Sequence, residues 1–332
     1  MTHPDPTSII RLSTGYWDSQ TLLTATRLKL FDAMADGPAR AEQVAGALQL
    51  DERATALMLR ACVGLGLLEQ QGELFSNSAN AATFLVSHSP AYMGHVLRYS
   101  DQLYGTWGQL EASLRSGQPA LPAETYLGDD PARTRAFVLA MHQRALGIAR
   151  VLVQVLDLSG RRAMLDVGGG PGTYSVLLTE RFPGLQSEVL ELPGVAAVAR
   201  ELVADAGASD RVRLRDGSYH EADFGQGKDV VLMSGMFHRE NEAACRRLIE
   251  RAHACLEPGG LLVVADVFAD AGGATPSFAS LFGLNMMLTA PQGGVHADAD
   301  VCSWMQDAGF TATRVQALPP PMPHRVVFGS KP

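Results

Sequence analysis

The run Leu165-Asp166-Val167-Gly168-Gly169-Gly170-Pro171-Gly172-Thr173 limits what this chain can fold into more than any other stretch. It opens as an apolar strand, passes through four glycines in five positions, and leads into a helix from about Thr173. Glycine tolerates positive φ and lets a ligand approach the backbone, while the first turn of the helix presents unpaired N–H groups. A tight strand-to-helix turn needs one or two glycines rather than four, so the pattern implies a small ligand bound at the turn.

Spacing narrows the ligand. A dinucleotide fingerprint counted from Gly168 requires its third glycine at position 173, which is Thr173, and this weakens a pyrophosphate reading. Asp166, Gly168, Gly170 and Gly172 suit a cofactor without phosphates, with Asp166 organising the turn near the ligand's amino-acid part. Glu191 closes the next apolar segment, where one carboxylate can accept both hydroxyls of a ribose.

Downstream, short apolar segments alternate with helical ones. Strands are expected at Met164–Val167, Glu188–Glu191, Val212–Leu214, Asp229–Met233, Leu261–Val267, Thr313–Ala317 and Arg325–Phe328. This is the signature of an α/β domain with a doubly wound, Rossmann-like parallel sheet. Only Pro319–Pro323 separates the last two strands, so the final one is expected to run antiparallel. A long helix opens at Asp130-Pro131 and runs through Met141 and Leu146.

The N-terminal part reads as mainly helical. Ala41–Leu48, Asp51–Leu65 and a hairpin around Gly72 follow the order of a winged helix. Its second helix carries only Arg53 and Arg60, opposed by Asp51 and Glu52, which favours dimerisation over DNA binding. The stripe Leu22–Phe31 is expected to need a partner surface. The 332 residues therefore divide into a dimerisation domain at 1–115, a linker at 116–128 containing Gly117, Pro119, Pro122 and Gly128, and a catalytic domain at 129–332.

A formal charge of −8 argues against nucleic acid or anionic lipid as a partner. Cys62, Cys245, Cys255 and Cys302 have no metal-ligand spacing, so no metal is expected and free thiols in the cytoplasm are. Runs such as Leu261–Ala265 are far short of the ~20 apolar residues of a membrane helix, and the N-terminus has no basic-then-apolar signal pattern.

The segments LDVGGGPG, LELP, the stretch from LMSGMFHREN to LEPGGLLVVAD, and the late DAGF together resemble the class I S-adenosylmethionine-dependent methyltransferases. Among these they are most similar to the plant caffeic-acid-type O-methyltransferases and their bacterial relatives. The resemblance spans nearly the whole chain. It implies S-adenosylmethionine as cofactor, a homodimer, and a small apolar or aromatic acceptor.

By this resemblance Gly168, Gly170 and Gly172 lie under the methionine part and Glu191 holds the ribose. Ser234 is counted with the cofactor residues, and the adenine contact stays open among Asp216, Ser218 and Tyr219. His238 matches the family's general base; an alcohol becomes a far better nucleophile as its proton leaves, and imidazole is suited to take it. Arg239 and Glu240 replace the family's Asp-Trp, and His296 stands where the family has an acid. The expected catalytic set is thus His238 and His296, either as two histidines around the acceptor or beside an acceptor that ionises unaided. Met141, His142, Phe282, Asn285 and Met286 are expected to line the acceptor site. S- or C-methylation, or a non-catalytic cofactor-binding regulator, are the alternatives.

Overall fold

The computed structural model describes residues 4–121, 127 and 130–332, so the expected linker lies partly outside the described residues. The chain forms two compact units, Met1–Leu103 and Tyr104–Pro332. The division falls earlier than the expected linker, inside a helix (α6, Gly94–Trp107) that turn-forming residues do not mark. Past that point, Leu121 N–H already bonds to the carbonyl of Leu288, tying the segment before 122 to the second unit.

In the first unit, helices α1 (Thr7–Thr14) and α2 (Tyr16–Arg27) precede a short strand β1 (Ala39–Arg40). Helices α3 (Ala41–Leu48) and α4 (Glu52–Gly64), the hairpin β2 (Leu68–Gln71) and β3 (Leu74–Asn77), and α5 (Ala79–Phe84) complete the winged-helix order. Asp51 caps α4 by accepting from the Ala54 N–H. The expectation for the Leu22–Phe31 stripe is corrected: Leu30 and Phe31 are fully buried in the unit's own core with Val44, Leu59 and Phe75. Instead, Ile9, Ile10, Leu12, Tyr16 and Trp17 on α1 and the start of α2 are among the apolar side chains left exposed.

The second unit is built on a seven-stranded sheet of β4 (Ala163–Val167), β5 (Gln186–Glu191), β6 (Val212–Asp216), β7 (Lys228–Ser234), β8 (Leu256–Val267), β9 (Thr311–Ala317) and β10 (His324–Ser330). Its order is β6-β5-β4-β7-β8-β10-β9, parallel from β6 to β8, with β10 antiparallel to both neighbours. Alternation along the strands feeds two cores. Leu165 and Val231 face one that includes Leu248 and Ile249 of α11 (Glu242–Cys255) and Trp304 of α13 (Asp298–Asp307). Met164, Val230 and Val263 face the other, which includes Leu178 of α9 (Thr173–Arg181) and Ile148 and Leu152 of α8 (Pro131–Val155). By length and composition α8 is apolar enough to cross a bilayer, which reading uninterrupted apolar runs overlooks; its apolar face covers the sheet.

Chain order reverses at β4, which lies between β5 and β7, and ligands of open α/β sheets bind at the carboxyl ends beside such a reversal. Every parallel strand delivers a polar residue to that edge: Asp166, Glu191, Asp216, Ser234 and Asp266. Because β10 runs the other way, its first residue, His324, is paired with Val267 and reaches the same edge.

Candidate active site

The glycine turn bends through φ values of +63°, +55° and +73° at Gly168, Gly170 and Gly172. At Gly170 a Cβ would stand in open space, a cradle shaped by the backbone itself. The Gly170 N–H donates to Glu191 Oε2 at 2.8 Å, and Glu191 Oε1 accepts from the Leu192 N–H at 2.7 Å. Burial raises the Glu191 carboxyl above its ordinary range despite these bonds.

Asp166 is fully buried and acts on the turn from below. Its Oδ2 accepts from the Ser175 hydroxyl at 2.6 Å, Ser175 pairs with Ser187, and a Cβ at Gly169 would lie 2.6 Å from the Asp166 Cγ. Burial, opposed by Ser175 and reinforced by Glu191, pushes Asp166 up to about 7. Its Oδ1 has no hydrogen-bond partner. Two carboxyls at this turn would repel a phosphate and suit a cationic, phosphate-free ligand, so the donor set fits S-adenosylmethionine.

Of the three adenine candidates, the Tyr219 ring lies against the turn, 3.3 Å from where a Gly168 Cβ would be, and its hydroxyl donates to Glu240 Oε1 at 2.6 Å. The exposed Asp216 carboxylate is ion-paired with Arg200. Ser218 Oγ accepts from the His220 N–H and closes its own turn. Ser234 hydrogen-bonds the hydroxyl of partly buried Tyr174, whose desolvation raises it to about 12.

His238 follows β7 in a single 3-10 turn, Phe237–Arg239. Its Nδ1 lies 2.7 Å from Asp266 Oδ1, and its backbone N–H reaches Asp266 Oδ2 at 3.3 Å. The orienting acid is therefore Asp266, which the sequence reading missed. Burial alone would raise Asp266, but the neighbouring His238, the Val267 N–H at 2.7 Å and His324 together hold it below the ordinary carboxylate range. With Nδ1 held, Nε2 is the ring atom left for an acceptor.

The expectation that His296 replaces the acid is corrected. Its Nε2 lies 2.9 Å from the Glu240 carbonyl and 3.2 Å from that of Phe237, and its ring meets Trp304 edge-on. With Nε2–H donating to these carbonyls, His296 braces the turn that carries His238 and offers that turn no second base.

The acceptor candidates separate. Phe282, on α12 (Ser277–Thr289), meets the His238 ring edge-on with centroids 4.9 Å apart, and Met286 packs with it in a small buried cluster. Asn285 Oδ1 accepts from the Trp107 indole N–H at 3.0 Å. His142 lies elsewhere: its Nδ1 is 2.8 Å from Thr173 Oγ1, at the start of α9 beside the glycine turn, and burial lowers its pKa. Met141 precedes it on α8, half-buried. Sequence reasoning also passed over Arg144, Trp107 and His324. Asp266 left a signal, as the one acid in an otherwise apolar strand segment, Leu261–Val267; His324 left none, because only the antiparallel return of β10 brings it here. Among the described residues no cluster of His, Cys, Asp and Glu is gathered for a metal.

An O-methyltransferase domain model matches residues 107–311, and an O-methyltransferase dimerisation domain model matches residues 10–87. The chain belongs to the O-methyltransferase family. It is 31% identical over 330 residues to 3-hydroxy-5-methyl-1-naphthoate 3-O-methyltransferase of Streptomyces sahachiroi, covering 98% of this chain and 95% of that one. An O-methyltransferase family protein from Burkholderia thailandensis superposes with a TM-score of 0.88 at 26% identity, over 99% of both chains. Human N-acetylserotonin methyltransferase, solved with S-adenosylmethionine, has the same fold: TM-score 0.88 at 22% identity, covering 100% of this chain and 99% of that one. This O-methyltransferase uses S-adenosylmethionine as its cofactor.

Proposed function

We propose that this O-methyltransferase methylates a hydroxyl of a small aromatic metabolite, with His238 as general base and Asp266 as the carboxylate that orients it. The observation that carries the reading is the His238–Asp266 pair, placed at the same sheet edge as the glycine turn.

Gly168, Gly170, Gly172 and Glu191 would hold the cofactor. When bound, it supplies an electrophilic methyl group on a positively charged sulfur. His238 Nε2 accepts the hydroxyl proton as the acceptor oxygen attacks, and Asp266, held ionised, keeps Nδ1 protonated and stabilises the imidazolium that forms. Phe282 and Met286 exclude water around the reacting oxygen. Oxygen is favoured over sulfur by the base itself, because a thiol ionises near 8.5 with little help and a phenol near 10. A relative named for methylating a hydroxynaphthoate supports an aromatic acceptor.

The dimerisation match and the uncovered Ile9, Ile10, Leu12, Tyr16 and Trp17 support a homodimer closed by α1 and α2. The four free cysteines fit a cytoplasmic enzyme. The test is incubation of the purified protein with labelled S-adenosylmethionine and a panel of phenols, with the methylated atom identified by mass spectrometry. A product methylated on oxygen is expected; cofactor binding without turnover of any phenol, or methylation at carbon or sulfur, would overturn the proposal.

A further inference from the structure

Arg144 lies on the buried face of α8, one turn after Ala140 and one turn before Ile148, both of which are buried. A position on that stripe ordinarily carries an apolar residue. Its guanidinium lies over the Phe282 ring, 5.5 Å from the centroid, and Phe282 is the ring that meets His238. Arg144 is also near enough to bear electrostatically on His324 and Tyr174. Among the described residues no carboxylate comes within ion-pair distance of it.

Among the described residues, the surrounding charges leave the acceptor end without an anion for Arg144. Asp266 is engaged by His238 and the Val267 N–H. His238 and His324 add basic rings, and burial keeps His324 neutral by lowering it to about 4. One helical turn along α12 from Phe282, Asn285 gives its oxygen to Trp107, which leaves its amide N–H groups as donors. A guanidinium cannot shed its charge, and its planar fork matches a carboxylate in two parallel bonds.

We infer that the acceptor is a hydroxylated aromatic carboxylate, its hydroxyl at His238 and its carboxylate at Arg144, with Phe282 between them against the ring. This rests on the reading of the site as an aromatic O-methyltransferase and adds a charge to the substrate. Arg144 is then a specificity-determining residue.

The experiment pairs each hydroxynaphthoate isomer with its methyl ester and with the corresponding naphthol. Binding to the protein loaded with S-adenosylhomocysteine is measured by calorimetry, and turnover with labelled S-adenosylmethionine. The wild type should bind at least one acid tenfold or more tightly than its ester. In Arg144→Gln that preference should collapse at least tenfold, mainly through KM rather than kcat, and Arg144→Lys should restore part of it. Equal binding of acid and ester by the wild type, or a preference unchanged in Arg144→Gln, would overturn the inference even where phenols are methylated. An acid that binds through Arg144 and is never methylated would keep Arg144 as the carboxylate-binding residue but refute both the proposed reaction and the assignment of that acid as acceptor.

Discussion

The two walls of the site are built in opposite ways. On the cofactor side, Asp166, Glu191 and the Gly170 N–H come from a single stretch of strand, turn, helix and strand, and the wall is acidic. On the proposed acceptor side, Arg144, His238, Asp266, Phe282 and His324 come from five separate segments, and the wall combines a cation, two imidazoles, an aromatic ring and a carboxylate. The first wall follows from local chain geometry and suits one invariant ligand. The second exists only through tertiary packing, so each residue in it can change without disturbing the turn.

That separation can be broken by mutation. The largest effect should come from His238→Ala, which removes the proposed base: turnover should fall at least a hundredfold, while affinity for S-adenosylhomocysteine, measured by calorimetry, stays within about threefold. A comparable loss of affinity would mean that the two walls are coupled.

Glu191→Ala addresses the other wall. Charged hydrogen bonds of roughly 1.5–3 kcal/mol each, less what water recovers, place the rise in the cofactor dissociation constant at about ten- to a hundredfold. An unchanged constant would move the ribose elsewhere.

The smallest effect separates the walls by pH. Asp166 has a folded pKa raised to about 7 from 3.8, so the folded state holds an extra proton between those values and its contribution to stability falls as pH rises through them. His324 has a folded pKa lowered to about 4 from 6.5, so the unfolded state holds the extra proton and stability rises with pH across that window. Relative to the wild type, Asp166→Asn should therefore gain melting temperature between pH 4 and 7, and His324→Gln should lose it between pH 4 and 6.5, each by a few degrees. Parallel difference curves for the two variants would contradict this account.

The same contrast explains what the sequence made legible. All seven strands of the large sheet, the caps at Asp51 and Asp130, and the antiparallel β10 follow from period, turn residues and short connections. The glycine turn and Glu191 could be read because their geometry is set within one supersecondary unit. Asp266 lies on a different strand from His238, and the resemblance to the family pointed instead to His296, whose role depends on carbonyls at Phe237 and Glu240 that no motif reveals. His142 lies on α8 as the long helix required, yet membership of that helix does not say which wall a given turn will meet.

The position of β10 between β8 and β9 also sets an order on biosynthesis. As the chain leaves the ribosome, β9 appears before the strand it must pair with, and β8 keeps an open edge until β10 is made. Through that interval the nascent sheet exposes two unpaired edges, the condition under which strands from different chains join. Insertion of β10 closes both at once and brings His324 to the catalytic edge in the same event. A chain halted before His324 would hold its glycine turn and its His238–Asp266 pair at the rim of an unfinished sheet, so protection from aggregation and completion of the acceptor wall arrive together.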